Sequence, residues 1–179
     1  FLGGISMNSV YDLVDYNKLV SFIWSVADDC LRDVYVRGKY RDVILPMTII
    51  ARFDAIIEGE KANILQTKSL AESSGWNIHK TLDTSIDLPF YNISKFSLKD
   101  LKSETNSQNL KKNFEEYLDG FSNNIKEILQ KFKFNSQVEQ MTESGILGSV
   151  IEKFTSSELN LSPYEVKNSL GVTIKRGLD

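Results

Sequence analysis

The sequence predicts an all-α chain, and three observations lead there. Apolar residues recur three and four positions apart along most of its length. Glycine, proline and capping side chains fall where that period breaks. Strict apolar–polar alternation, the mark of a half-buried strand, never lasts beyond a short run. The expected architecture is a helical bundle with a long irregular loop around residues 76–96.

Between Asn17 and Tyr35, Leu19, Val20, Ile23, Val26, Ala27, Cys30, Leu31 and Val34 form one apolar helix face. Gly38 interrupts, and Tyr40 to Glu58 reads as a second helix. Val43, Ile44, Met47, Ile50 and Ala51 make one stripe there, and Leu45, Ile49, Phe53 and Ile56 a second. A helix apolar on two sides is expected to be central, and Pro46 inside it removes a backbone hydrogen bond and predicts a kink. A third helix is expected from Glu60 to Ser73, ending by Gly75. From Trp76 to Phe96 the period is lost. Helical signals then resume in 110–121 (Leu110, Phe114, Tyr117, Leu118, Phe121) and 125–132 (Ile125, Ile128, Leu129, Phe132). Asn124 with Glu127, Ser136 with Glu139, and Ser162 with Glu165 are expected N-caps, the last reinforced by Pro163.

With 41% hydrophobic and 25% charged residues, the 179-residue chain has the composition of a soluble globular domain. Its net charge of −3 lacks the strongly basic footprint of a self-sufficient nucleic-acid binder. A single cysteine, Cys30, excludes an internal disulfide, and a single histidine, His79, excludes a His/Cys-rich zinc site. Phe1 to Ser6 lack the basic and apolar regions of a secretory signal, and no run is long enough to span a membrane. The cytoplasm is the expected compartment, where Asn92-Ile93-Ser94 and Asn160-Leu161-Ser162 are chance sequons.

Catalytic chemistry has little to stand on. The neighbours Asp28-Asp29 and Glu115-Glu116 point about 100° apart on a helix and read as solvated faces. His79 has no marked nucleophile beside it, and Cys30 falls on an apolar stripe. Gly3-Gly4 and the pair Gly145 and Gly148 lack the strand-to-helix setting of a phosphate loop. No catalytic, cofactor-binding or metal-binding residue is assigned. Basic residues remain: Arg32, Arg37, Lys39 and Arg41 cluster, with Arg52 one helix away, and Lys95, Lys99 and Lys102, like Lys126, Lys131 and Lys133, recur at helical spacing. Arg37, Lys39 and Arg41, at the expected helix–helix turn, are the candidates for contact with DNA phosphate or a partner.

Three stretches together resemble one family. The run Phe22 to Arg32, then Tyr40 to Met47, then Arg52-Phe53-Asp54, is similar to the opening of the modification (M) subunit of type I restriction-modification enzymes. Asn113 to Phe134, with Gly120-Phe121-Ser122 and Phe132-Lys133-Phe134, is similar to a later stretch, and Ile151 to Phe154 followed by Leu159 to Pro163 to a third. They recur in the family's order across residues 17–170. The resemblance implies the helical N-terminal domain of an adenine-N6 DNA methyltransferase subunit: a DNA-clamping and subunit-docking domain, not catalytic alone. Implied partners are a specificity subunit, a second M subunit and double-stranded DNA, with the restriction subunit in the nuclease form. S-adenosylmethionine is the cofactor implied for the full-length protein, but none is implied for this chain. Its glycine-rich loop and the Asn-Pro-Pro-aromatic motif do not occur here, and Ser162-Pro163-Tyr164 is at best a fragment of the latter. Residues 1–16 are expected to be an extension or tag remnant, 17–170 the helical domain, and 171–179 a truncated tail leading toward the methyltransferase domain. The competing reading is an unrelated all-α interaction module with no enzymatic role.

Overall fold

A computed structural model describes residues 7–157, 159, 161, 165–167 and 173–175, with side chains described for 16–157, 159 and 161. The all-α expectation holds. Helix α1 (Met7–Val26) continues into a π-helical turn, Ala27–Leu31, and a short 3-10 turn, Arg37–Lys39, leads to α2 (Arg41–Ile57). A second 3-10 turn, Glu58–Glu60, separates α2 from α3 (Lys61–Ser74) and α4 (Ile78–Ser85). After an irregular stretch come α5 (Leu98–Leu101), α6 (Ser107–Asp119), α7 (Asn123–Lys131), α8 (Phe134–Glu143) and α9 (Leu147–Phe154). A small antiparallel ribbon follows, β1 (Glu165–Lys167) with β2 (Thr173–Lys175), Val166 opposite Ile174.

Helix α2 packs on α8 and α9, and α6 packs on the same two helices, so four apolar faces enclose one core. Its largest fully buried side chains include Tyr117, Phe114, Phe121 and Phe134. The Phe114 and Phe134 rings meet edge to face with centroids 6.2 Å apart. The first stripe of α2 (Val43, Ile44, Met47, Ile50 and Ala51) is buried throughout. The second is not: Ile49, Phe53 and Ile56 are half-buried, and Leu45 is 48% exposed. Helix α2 therefore lies at the wall of the core and not at its centre, and it continues through Pro46.

Several boundaries differ from the sequence reading. The first helix begins by Met7, ten positions before the expected Asn17, and gives way to the π turn at Ala27. A π turn carries an extra residue relative to an α turn. Here it turns Ala27, Cys30 and Leu31 inward and leaves Asp28 and Asp29 in solvent. The expected loop at 76–96 contains α4, so the irregular stretch is only 86–97. Asn77 caps α4 by accepting from the Lys80 N–H at 3.0 Å.

The observed caps are not the expected ones. Asn124 lies inside the first turn of α7, where its side chain donates to the Pro89 carbonyl at 2.8 Å. Ser136 lies inside α8, which opens after Lys133, the one non-glycine residue with positive φ among the described residues. Ser162 and Pro163 lie outside the described residues, and Glu165 belongs to a strand. The caps that form are Asn77, Asn106, and the capping box of Ser97 with Asp100. Helix α3 ends as expected at Gly75, whose φ of 70° lets the Trp76 N–H reach back to the Ala71 carbonyl at 2.9 Å.

Asn106 accepts from the N–H groups of both Gln108 and Asn109. Asn106→Ala strips both, and chemical denaturation should show a loss of about 1 kcal/mol with an unchanged m-value.

Candidate functional site

Among the described residues, two places gather polar or charged side chains. The first is an interior node. Arg52-Phe53-Asp54 brings Asp54 to the inner end of α2, facing α6. There the fully buried Tyr117 hydroxyl donates to Asp54 Oδ1 at 2.8 Å, and the Leu98 N–H donates to the same oxygen at 3.2 Å. Lys61, at the start of α3, donates to Asn92 Oδ1 at 3.1 Å and to the Asn92 carbonyl at 3.3 Å. Asn92, itself buried, donates to the Tyr117 carbonyl at 2.9 Å and accepts from the Ser94 N–H at 2.8 Å.

The turn Gly120-Phe121-Ser122 closes on this node. The Ile93 N–H donates to the Gly120 carbonyl at 2.8 Å, and the Ser122 N–H to the Tyr91 carbonyl at 2.9 Å, an isolated bridge centred on Asn92 and Phe121. A Cβ on Gly120 would stand 2.7 Å from the Ser94 nitrogen and 2.8 Å from Asn92 Oδ1, so the close approach requires glycine.

The electrostatics follow from enclosure. Burial raises the Asp54 carboxyl above its ordinary range, outweighing the Tyr117 and Leu98 hydrogen bonds and the charge of Lys61. Burial likewise lowers the Lys61 amine to about 8, against the pull of Asp54 and Asp100. A carboxylate and a lysine in one place can perform acid–base chemistry where substrate reaches them. Here Asp54 is occupied in joining α2 to α5 and α6, and Lys61 in tying α3 to Asn92 of the irregular stretch.

The second place is the α1–α2 connection. Arg37, Lys39 and Arg41 are all exposed, two in the 3-10 turn and one at the first position of α2. Lys39 stands 3.6 Å and Arg41 3.8 Å from the Asp42 carboxylate. These are surface pairs of small energetic weight, so the cations stay available. Arg32 and the 73%-exposed Val36 lie on the same connection. Arg52 is not part of this corner: its guanidinium donates to the Leu161 carbonyl.

The remaining basic groups are dispersed. Lys99 pairs with Glu58 at 3.2 Å, Lys95 stands over the Phe96 ring, and Lys126 reaches the Asp119 carbonyl at 3.4 Å. Of the acidic neighbours singled out in the sequence, Asp29 pairs with Lys153 at 2.6 Å, while Glu115 and Glu116 are exposed. Cys30 is buried, with its thiol pushed up by desolvation, away from the thiolate a nucleophile needs. His79 lies in α4, not in a loop, and its Nδ1 is 2.8 Å from the Tyr91 hydroxyl. Among the described residues no three His, Cys, Asp or Glu side chains converge as a metal site, and no helix is long and apolar enough to cross a membrane.

A family model for the HsdM N-terminal domain matches residues 19–154, from the middle of α1 to the end of α9. The chain belongs to the HsdM N-terminal domain family. It is thereby an N-terminal domain of a type I restriction-modification modification subunit, and the reading as an unrelated helical module falls away. Neither a curated protein nor a solved structure matches the chain. The node accounts physically for two stretches that carried the resemblance. Asp54 at the end of the first stretch and Tyr117 in the second share a hydrogen bond, and Gly120-Phe121-Ser122 makes the turn that brings Asn92 beside them.

Sequence reasoning missed the node's other members. Asp54 and Tyr117 stand 63 residues apart, Lys61 and Asn92 stand 31 apart, and no spacing rule joins them. Tyr117→Phe keeps the ring but leaves the Asp54 carboxylate one donor short. Urea unfolding should show a loss of about 1–3 kcal/mol.

A further test is pH. The folded state holds Lys61 near 8 against an ordinary 10.5, so the unfolded chain binds more protons between those values. This group's contribution to stability therefore rises with pH across that window. Comparing wild type with Lys61→Met from pH 7 to 10.5 should isolate that rise as the difference between the two slopes, the wild type gaining stability relative to the variant as pH increases.

Proposed function

We propose that this HsdM-family domain clamps DNA and docks subunits within a type I modification enzyme, and that it transfers no methyl group itself. The observation that carries the reading is the exposed corner of Arg37, Lys39 and Arg41 on an N-terminal domain of a type I modification subunit. An adenine must leave the stack before its amino group can be methylated, which costs a few kcal/mol. Cations on a rigid helical body can hold the flanking phosphates while that happens, and each phosphate neutralised adds salt-dependent affinity.

The net charge of −3 fits a supporting role of this kind. A domain that contributes a few cations inside a larger assembly need not be basic throughout, and an acidic body discourages DNA from binding anywhere but the corner. The partners in this reading are the specificity subunit, a second M subunit and double-stranded DNA, with the restriction subunit added in the nuclease form. The setting is the cytoplasm, where the DNA substrate lies.

S-adenosylmethionine belongs, in this reading, to the catalytic domain of the full-length subunit. The sequence of the helical domain contains no G-x-G-x-x-G run. Its side chains supply position and grip.

The test uses the assembled methyltransferase. Arg37→Glu, Lys39→Glu and Arg41→Glu together should weaken DNA binding at least tenfold at low salt. They should also flatten the log–log salt dependence by about one unit for each phosphate left unneutralised. DNA affinity and salt slope both unchanged would overturn the DNA role of the corner. Loss of the specificity subunit on co-purification, with the slope unchanged, would assign it to subunit docking instead.

A further inference from the structure

Helices α3 and α4 form a hairpin that is built unlike the rest of the molecule. Helix α3 packs chiefly on α4, and of its fourteen residues only Ile64 and Ala71 are buried. Helix α4 buries Leu82 alone. By contrast α6 buries Leu110, Phe114, Tyr117 and Leu118, and α9 buries half of its eight residues. Little apolar area therefore fixes the hairpin to the core, and such elements occupy the low-stability end of a fold.

Both of its ends are suited to bending. On one side the 3-10 turn Glu58–Glu60 interrupts what would be a single long helix, a common mark of a hinge, and the space around Gly59 is open. On the other side the chain turns extended at Ile86, with φ −114° and ψ 131°, before the irregular stretch through Pro89.

The polar bonds from the hairpin to the body converge on one short segment, Tyr91–Ile93. Lys61 reaches Asn92, Lys68 donates to the Ile93 carbonyl at 3.5 Å, and His79 meets the Tyr91 hydroxyl at 2.8 Å. That hydroxyl also interacts with Asp83 of the same helix as His79. On its opposite side the segment is tied to Gly120 and Ser122 by backbone hydrogen bonds. One edge is thus joined to the body by main chain, and the other is covered by side chains from the hairpin.

We propose that the α3–α4 hairpin is a hinged strap that swings about Glu58–Glu60 and Ile86–Pro89, uncovering the Tyr91–Ile93 edge without unfolding the helices behind it. Opening releases the Asn92 and Ile93 carbonyls from Lys61 and Lys68 and leaves the bonds to Gly120 and Ser122 in place. This goes beyond the clamp reading and does not depend on it, because the basic corner lies on the other connection, between α1 and α2.

Native-state hydrogen exchange of the full chain, read peptide by peptide by mass spectrometry, tests the strap. Helices of fourteen and eight residues are marginal once detached from the core, so they fray when the strap opens, and residues 61–85 should share one opening constant at least about tenfold larger than that of α6 and α8. Tyr91→Phe keeps the ring and removes the hydroxyl that α4 grips. It should raise the hairpin constant about three- to tenfold and leave α6 and α8 unchanged. Gly59→Ala, which has room for its methyl group, should lower the hairpin constant by stiffening the hinge. If residues 61–85 exchange with the same constant as α6 and α8, or if Tyr91→Phe accelerates hairpin and body equally, the strap does not exist. Should Tyr91→Phe fail to fold, Lys68→Met carries the same comparison.

Discussion

The Asp54 carboxylate sits where a charge is costly, half-buried between helices, and the arrangement around it follows from that cost. Its acceptor oxygen draws the Tyr117 hydroxyl from α6 and the Leu98 N–H from α5, so one side chain of α2 fixes the placement of two other helices. Such a group constrains more than an apolar neighbour does. Leucine tolerates small displacements, whereas an enclosed carboxylate that loses a donor bears most of its desolvation penalty. Asn92 extends the same logic to the irregular stretch, using both ends of its carboxamide to tie Tyr117, Ser94 and Lys61 together. A chain whose core faces are mostly interchangeable aliphatic stripes acquires a single arrangement at this point.

How much of this is legible in the sequence depends on whether the cause is local. The faces of α2, α6 and α7 are readable because burying one side of a helix leaves a trace every three to four residues, and Gly75 is readable as a helix stop for similar reasons. Asn124 shows the opposite case. Its spacing to Glu127 is that of a cap, yet its side chain is recruited by the carbonyl of Pro89, 35 residues away, and Ser122 takes the cap position. Helix α4 escapes notice because eight residues with one buried side chain leave too few apolar marks to establish a period. Arg52 lies near the basic corner along the chain, but a helix position fixes direction only relative to its own axis, and the side chain turns to Leu161. The interior node is half visible: the resemblance singles out the stretches holding Asp54 and Tyr117, and only the fold shows that they touch.

The distribution of chemistry suits a domain that works as part of a larger enzyme. Four groups with perturbed protonation, Asp54, Lys61, Tyr91 and Tyr117, serve as joints between elements, while Cys30 and Tyr35 are shifted chiefly by burial. Perturbed groups often signal catalysis, but structural networks perturb them equally well. Each of those four has a neighbour it holds in place, and the exposed cations of the α1–α2 connection are separate from the four. Rigidity inside and charge at the corner divide the tasks of keeping a shape and presenting it.

The π turn at Ala27–Leu31 sets how that corner relates to everything before it. One surplus residue in a helix advances the following face by about 100°. Deleting a single position there would restore an ordinary α turn, rotate α1 about its axis and carry Phe22 and Val26 out of the core, where Phe22 meets the Phe154 ring at 5.2 Å. The surplus residue therefore keeps the inward face of α1 and that of Cys30 and Leu31 aligned on one interior. A one-residue change of length at this turn would set the leading helix out of step with the interior, so packing on both sides fixes how many residues the turn holds.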